Sequence, residues 1–295
     1  MVSAPAVPMT VTEPSLDDLR REIDEIDDSL HALLMRRAEV QQQVGRAKAD
    51  SSARLRPGRE ARVLRRLMAN HAGPFPRGAV VQIWREIFAA GLALQGPFSV
   101  AVLADGRAER GLRGIARDHF GALTRMQEVS TAGQVLQAVG ECRATVGVLP
   151  MPESEERAPW WPNMAREGET VPRIVARLPF AQTDPAHQRR EALAVMLGAP
   201  EETGQDRGYI ALEVPDGTSR SALRGALAAA DFDVTDWKVY DAGGPVTYYL
   251  VECRSVVRAG DARLAALTGN PDNGAVRQAW PLGGYAEPLG PGELA

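Results

Sequence analysis

The sequence predicts a multidomain protein in which an all-α domain of three helices precedes an α/β lobe and a small α+β domain of order βαββαβ. Its length of 295 residues exceeds what one ordinary core holds. Apolar residues follow helical spacing over 15–96, short apolar runs alternate with helical stretches over 97–207, and strand and helix patterns alternate over 208–288. We interpret 1–14 as a disordered leader and 289–295 as an irregular tail.

The composition is that of a soluble globular protein, with 44% hydrophobic and 24% charged residues. A formal net charge of −4 gives no reason to expect nucleic acid as a partner. We expect no membrane association, because no apolar stretch is long enough for a span and the N-terminus lacks a signal-peptide pattern. Cys142, Cys253 and the four histidines show no metal-ligand spacing, so we expect free thiols, a cytoplasmic protein, no metal and no cofactor.

The first helix is predicted from Ser15 to about Lys48. Ser15 is a good N-cap, and Asp18 at the third helical position completes a capping box. Two shorter helices follow, one beginning near Arg59 and one around residues 81–92. Three such helices have too little mass for a sheltered core, so we expect them to dimerise. The apolar face of the first helix repeats every three or four residues, at Leu16, Leu19, Ile23, Ile26, Leu30, Leu33, Val40 and Val44.

Polar side chains interrupt the apolar faces of these helices. Arg37 occupies an apolar position of the first helix, and Lys48 points the same way about three turns later. Two cations facing a core indicate an anion pocket, or else an edge position from which Arg37 reaches water. Arg59 and Glu60 begin the second helix, and Gln95 ends the third, where it either faces the pocket or belongs to a fraying turn. Such a set, without a nucleophile, suits a reaction that needs electrostatic stabilisation.

Three motifs stand in this segment: Leu-Arg-x-x-Ile-Asp at 19–24, Val-Gly-x-Ala-Lys at 44–48 and Arg-Pro-x-Arg-Glu at 56–60. Together they resemble the all-helical chorismate mutase family. The resemblance implies rearrangement of chorismate to prephenate, in aromatic amino-acid biosynthesis, by an intertwined homodimer. The spacing agrees with a shared site, because Arg20 lies about 25 Å along the helix from Arg37 and could reach the same ligand only from another chain.

The resemblance also implies a role for each matching residue. Arg20 of the partner subunit, Arg37 and Arg59 would bind the carboxylates of chorismate. Lys48 and Gln95 would hydrogen-bond the ether oxygen, and Glu60 would accept a hydrogen bond from the ring hydroxyl. Two further substrate-binding positions depart from the family pattern: Arg56 stands where some relatives have an acidic residue, and Gly91 where a small hydroxyl residue is frequent.

Residues 97–207 contain a buried-type strand at 98–103 and a second strand that ends in Gly-Val-x-Pro at 147–150. These features resemble the first lobe of prephenate dehydratase. The segment is too short for two lobes, and the Thr-Arg-Phe signature of that family is missing from its expected late position; Thr124-Arg125-Met126 is a local look-alike. We therefore expect a truncated lobe without dehydratase activity.

Residues 208–288 resemble an ACT-type regulatory domain in the order of their elements and in the ending Leu-Gly-Gly-Tyr at 282–285. The Glu-Ser-Arg-Pro segment that helps to bind phenylalanine in that family is absent, and Asp236 to Tyr240 stand near its place. The resemblance implies either a dimerisation module, which we favour, or a site for an aromatic amino-acid effector.

Three alternatives to a simple mutase stay open at this point. The first is a bifunctional chorismate mutase–prephenate dehydratase, which would form phenylpyruvate. The second is a non-catalytic regulator that binds aromatic metabolites, which would show no turnover. The third is a coiled-coil dimerisation arm, against which Arg37 argues, because a coiled coil prefers Ile or Leu at such a position.

Overall fold

The computed structural model describes residues 14–47, 55–104, 106, 111–154, 156–181, 191–269 and 274–294. The chain forms two compact units, one of residues 1–50 and one of residues 51–295. Apart from Pro14, the predicted leader lies outside the described residues, and so does Lys48. Our domain boundaries after residues 96, 207 and 288 stay predictions.

The first unit contains the long helix α1 (Leu16–Ala47). The predicted capping box is confirmed at its start: the Asp18 amide donates to Ser15 Oγ at 3.2 Å, and the Ser15 amide donates to Asp18 Oδ2 at 3.3 Å. All residues of α1 are partly or fully exposed. The exposed fraction of the apolar face reaches 54% at Leu30 and 67% at Leu33. Monomeric proteins rarely expose an apolar stripe of this length.

The second unit begins with helices α2 (Pro57–Ala69) and α3 (Arg77–Gln95). Their apolar faces form a core cluster that includes Leu64 and Phe88 and continues into Phe180 and Leu289, which come much later in the chain. The two helices are therefore part of the same folded body as the α/β region.

The remaining described elements form one nine-stranded sheet with helices on its faces. The sheet order is β2-β1-β3-β5-β4-β9-β6-β8-β7. The strands are β1 (Ser99–Leu103), β2 (Arg125–Val129), β3 (Val146–Pro150), β4 (Arg173–Leu178), β5 (Ala192–Met196), β6 (Asp206–Pro215), β7 (Val234–Asp241), β8 (Val246–Cys253) and β9 (Gln278–Ala286). The helices are α4 (Leu112–Phe120), α5 (Ala132–Gly140), α6 (Arg220–Ala229), α7 (Ala262–Thr268) and α8 (Pro291–Leu294), and Trp161–Met164 forms a 3-10 turn.

The predicted βαββαβ order is confirmed by β6, α6, β7, β8, α7 and β9. β6 pairs antiparallel with β8, from Gly208 opposite Cys253 to Pro215 opposite Val246, and it pairs with β9 on its other side. In the other half, β1 pairs parallel with β2 and β3, as expected for strands joined by helices. The protein is therefore multidomain in class, helical at its start and α/β to α+β afterwards.

A glycine joins the two halves of the sheet. β4 pairs parallel with β9 through Ile174 and Gly283. Gly283 has φ +109°, and a Cβ there would lie 2.3 Å from the carbonyl oxygen of Ile174, so only glycine permits this approach. The sheet thus continues into β6. Because β6 begins at Asp206, this strand crosses the domain boundary that we predict after residue 207.

No helix in the described ranges combines the length and the apolar character that a membrane span requires.

Candidate active site

The described part of the first unit, residues 14–47, carries two of the predicted substrate-binding residues. Arg37 is half-buried, and its Nη1 donates to Gln41 Oε1 at 2.6 Å, one turn further along α1. Arg20 is exposed and lies 3.3 Å from the carboxylate of Asp17. A straight helix separates residues 20 and 37 by about 25 Å. One copy of α1 therefore cannot place both guanidinium groups on one small ligand.

The start of α2 carries Arg56 and Arg59, which share one acidic partner. Arg56 Nε donates to Glu201 Oε1 at 2.6 Å, and the backbone amide of Arg59 donates to Glu201 Oε2 at 3.0 Å. α2 begins at Pro57, two residues before the predicted start, because proline has no amide hydrogen to lose in the first turn of a helix. The Arg59 side chain is exposed.

Glu60 forms a buried ion pair that the sequence reasoning missed. Arg85 Nη1 on α3 lies 2.9 Å from Glu60 Oε2, and the two side chains are only 4% and 14% exposed. The Arg85 guanidinium also lies over the ring of Phe180, 5.4 Å from its centroid. Burial lowers the pKa of Arg85, and the charge of Glu60 opposes that shift. The pair fixes the Glu60 carboxylate in position.

His119 on α4 is the other buried titratable residue beside this pair. Its residue surface is 7% exposed, and its ring packs edge-on against Phe120 at 4.7 Å. Burial, followed by the positive charge of Arg85, holds the pKa of His119 well below its usual range. His119 is therefore neutral near pH 7.

The end of α3 carries Gly91, which is buried, and Gln95, which is half-buried and is the last residue of the helix. Gln95 Nε2 donates to the carbonyl oxygen of Gly91 at 3.0 Å. This bond restrains the amide at the helix end, where the sequence left open a fraying turn. A neutral amide there can donate a hydrogen bond at any pH.

Residues 19–96 match the family model of chorismate mutase type II. The match covers the N-terminal part of the chain. The chain is 32% identical over 152 residues to the bifunctional chorismate mutase/prephenate dehydratase of Pseudomonas aeruginosa. The alignment covers 50% of this chain and 41% of that protein. It is 44% identical over 64 residues to the intracellular chorismate mutase of Mycolicibacterium smegmatis, covering 21% of this chain and 62% of that one.

The chain thus spans less than half the length of the bifunctional relative that it matches. Among solved structures, GqqA, described as a quorum quenching acylase, aligns at 18% identity and TM-score 0.47, covering 66% of this chain and 97% of that one. The prephenate dehydratase from Streptococcus mutans aligns at 14% identity and TM-score 0.44, covering 64% and 97%.

Of the residues predicted for the chorismate mutase site, the structure places Arg56 at the N-cap of α2 and Arg59 and Glu60 on its first turn. Gly91 and Gln95 lie one turn apart on α3 in the same unit, while Arg20 and Arg37 belong to the first unit. Two residues that contact the predicted site residues were missed. Arg85 lies four residues after Val81 and three before Phe88, so the reasoning that singled out Arg37 on an apolar face would have found it. For Glu201, 145 residues from Arg56, the sequence has no local signal.

Proposed function

We propose that this protein is a chorismate mutase that rearranges chorismate to prephenate in aromatic amino-acid biosynthesis. The observation that carries the proposal is the match of residues 19–96 to the family model, a segment that contains Arg20, Arg37, Lys48, Arg59, Glu60 and Gln95. The reaction breaks one C–O bond and forms one C–C bond within the same molecule. Positioning and electrostatic stabilisation are therefore what the protein must supply.

In the proposed mechanism, arginines bind the dianion and hold it in a compact conformation. Arg37 and Arg59 bind carboxylates of chorismate, and Glu60, held by Arg85, accepts a hydrogen bond from the ring hydroxyl. As the ether bond lengthens, negative charge grows on its oxygen. Lys48 and Gln95 donate hydrogen bonds to that oxygen and stabilise the transition state more than the ground state.

The proposed assembly is a homodimer in which a second copy covers the apolar face of α1 and supplies Arg20 to the site. It is supported by the exposed face of α1 and by the distance along the helix between Arg20 and Arg37. Sedimentation of wild type and of Leu30→Lys tests the assembly. We expect a dimer for wild type and a shift toward monomer for the variant, whereas a monomeric wild type would contradict the proposal.

The activity is tested by following the loss of chorismate absorbance and the formation of prephenate with purified protein. We expect Arg37→Ala to lower kcat/KM about 100-fold, which corresponds to about 2.7 kcal/mol of transition-state stabilisation. Arg36→Ala is the matched control, because Arg36 is the exposed neighbour that pairs with Glu39 at 2.9 Å, and it should stay within about twofold of wild type. Wild-type protein that consumes chorismate no faster than buffer would contradict the proposed function.

A bifunctional chorismate mutase–prephenate dehydratase is the second candidate. It is favoured by the alignment with a relative of that name. The alignment spans 152 residues, about twice the length of the family match, and so extends beyond that match. Phenylpyruvate formed from prephenate at neutral pH would establish this activity, and we expect none. Adding phenylalanine or tyrosine to the mutase assay tests an aromatic amino-acid effector at the ACT-like region. A cytoplasmic location also stays a proposal, supported by the two free cysteines, Cys142 and Cys253.

A further inference from the structure

The loop between β5 and β6 contacts α2 along its whole first half. We call residues 201–205 of this loop the α2 clasp. Glu201 binds Arg56 and the amide of Arg59. The Arg62 guanidinium donates to the carbonyl oxygen of Glu202 at 2.7 Å, and the Arg65 guanidinium donates to Thr203 Oγ1 at 2.8 Å. Arg65 also donates to the carbonyl oxygens of Gln205 and of Glu287, just after β9.

The clasp supplies the cap of α2. The first turn of a helix has amide hydrogens without intrahelical acceptors and carries a partial positive charge. The Glu201 carboxylate accepts the amide hydrogen of Arg59, the third residue of the helix, at 3.0 Å. A carboxylate in this position satisfies the amide and opposes the helix dipole, as an N-cap Asp does from within the helix. Here the cap comes from 142 residues away in sequence.

A glycine in the motif makes this approach feasible. Gly58 is buried between Pro57 and Arg59, and a Cβ at this position would lie 2.6 Å from Glu201 Cβ and 3.2 Å from Thr203 Cγ2. Real Cβ atoms do not tolerate the first of these distances. The variable position of Arg-Pro-x-Arg-Glu is therefore filled here by the residue that lets the clasp contact the helix backbone.

Glu201 and Arg85 hold the first turn of α2 from two directions. Glu201 fixes the backbone of Arg59, and Arg85 fixes the carboxylate of Glu60, the next residue. A guanidinium and a carboxylate that bind one small ligand must be held within about 0.5 Å of their productive positions. Both proposed groups, the Arg59 guanidinium and the Glu60 carboxylate, extend from the first turn of α2.

We propose that Glu201 is a positioning residue for chorismate binding: through the α2 clasp, the C-terminal α/β region orders the helix turn that presents Arg59 and Glu60. This inference rests on the proposed mutase function. It gives the α/β region a role in the mutase reaction that is independent of any dehydratase chemistry. Because Arg59 binds the substrate before and during the reaction, loss of the clasp raises KM more than it lowers kcat.

The experiment compares full-length wild type with Glu201→Ala, Glu201→Gln and the control Glu202→Ala. The Glu202 side chain is 63% exposed and pairs with Arg258 at 3.2 Å, so its removal leaves the cap of α2 intact. We expect Glu201→Ala to lower kcat/KM about five- to tenfold, the size of one lost hydrogen bond, with most of the change in KM. Glu201→Gln should recover part of this loss, because the amide oxygen still accepts the Arg59 hydrogen.

Hydrogen exchange at the Arg59 amide gives a second readout that does not depend on turnover. Among proteins with the same melting temperature, exchange at this amide should be faster in Glu201→Ala than in wild type and unchanged in Glu202→Ala. If wild type turns over chorismate and Glu201→Ala has the same KM as wild type, the positioning role alone would be overturned. A wild type without turnover would overturn the proposed function, and the positioning role with it, even if exchange at Arg59 responds as expected.

Discussion

Arg85→Met should destabilise the second unit, because it removes one partner of a buried ion pair. Arg85 is 3% exposed and makes a 2.9 Å ion pair with Glu60, whose side chain is 14% exposed. Methionine keeps much of the length of arginine but removes its charge. It leaves the Glu60 carboxylate in a buried site without the guanidinium that the structure places beside it. Removing one partner of a buried pair costs about 3–5 kcal/mol.

The structure places the expected cost near the lower end of that range. The residual exposure of Glu60 allows water to reach one side of the carboxylate, which reduces the penalty. Loss of the contact between Arg85 and the Phe180 ring adds about 0.5–1 kcal/mol. We therefore expect the free energy of unfolding of the second unit to fall by about 3–4 kcal/mol. Combining Arg85→Met with Glu60→Leu should restore about 2 kcal/mol, because an apolar pair replaces an ionic pair at little cost.

Urea denaturation followed by circular dichroism measures these free energies, and the double-mutant cycle gives the coupling between the two side chains. Arg113→Met is the matched control, because its guanidinium is 55% exposed and lies 3.8 Å from Glu128. A surface pair of this kind contributes about 0–1 kcal/mol. If Arg85→Met cost no more than Arg113→Met, or if the cycle gave no coupling, the reasoning about the buried pair would be wrong.

Three further predictions concern His119, Gly58 and Gln95. The pKa of His119 is lowered in the folded protein, so the unfolded chain binds the proton first, and stability is lost as pH falls below 6.5. Relative to His119→Gln, wild type should lose about 1.4 kcal/mol of its free energy of unfolding per pH unit below 6.5, until the pH reaches the folded-state pKa. Urea titrations at several pH values measure this loss, and parallel curves for the two proteins would contradict it. Gly58→Ala, whose Cβ would meet Glu201 at 2.6 Å, should lower the free energy of unfolding by about 1–3 kcal/mol, whereas Gly225→Ala in the open on α6 should not lower it. Gln95→Glu should lose mutase activity at neutral pH and regain part of it in acid, where the carboxyl can donate, while wild type depends less on pH; matching pH profiles would remove Gln95 from the mechanism.

Local patterns allowed much of the fold to be predicted. The spacing of apolar residues and the Ser15 cap predicted both bounds of α1. The predicted end, at about Lys48, lies within a residue of the described end at Ala47. The βαββαβ order of the C-terminal part was also readable, because each of its strands is flanked by turn residues and each helix has its own apolar face. These features depend on neighbours in sequence, which is why one sequence was enough.

The pairing of distant segments could not be predicted. β5 (Ala192–Met196) is a short run with every residue buried, so it has no alternation that distinguishes a strand from a buried piece of helix. The single sheet depends on Gly283 meeting Ile174, 109 residues earlier, and the α2 clasp depends on Gly58 meeting Glu201. In each case the decisive feature is a missing Cβ, which becomes informative only when its distant neighbour is known.

The candidate site was predictable to the extent that its residues interrupt apolar faces. Arg37, Glu60 and Gln95 stood out for that reason, and the family motifs added their roles. Arg85 interrupts the face of α3 in the same way, and only its partner Glu60 on another helix explains why it is buried. The roles of Arg20, Arg37, Arg59 and Gln95 toward substrate stay predictions, as does that of Lys48, which lies outside the described residues.

A mixed dimer tests most directly whether cations from two chains share one chorismate. Arg20→Ala and Arg37→Ala should each be nearly inactive as homodimers, since each removes one cation from both sites. After unfolding and refolding together, half of the dimers should be mixed, and each mixed dimer should contain one intact site. We therefore expect the mixture to recover about a quarter of wild-type mutase activity. Activity that stays at the average of the two separate variants would contradict a site built from two copies of this chain.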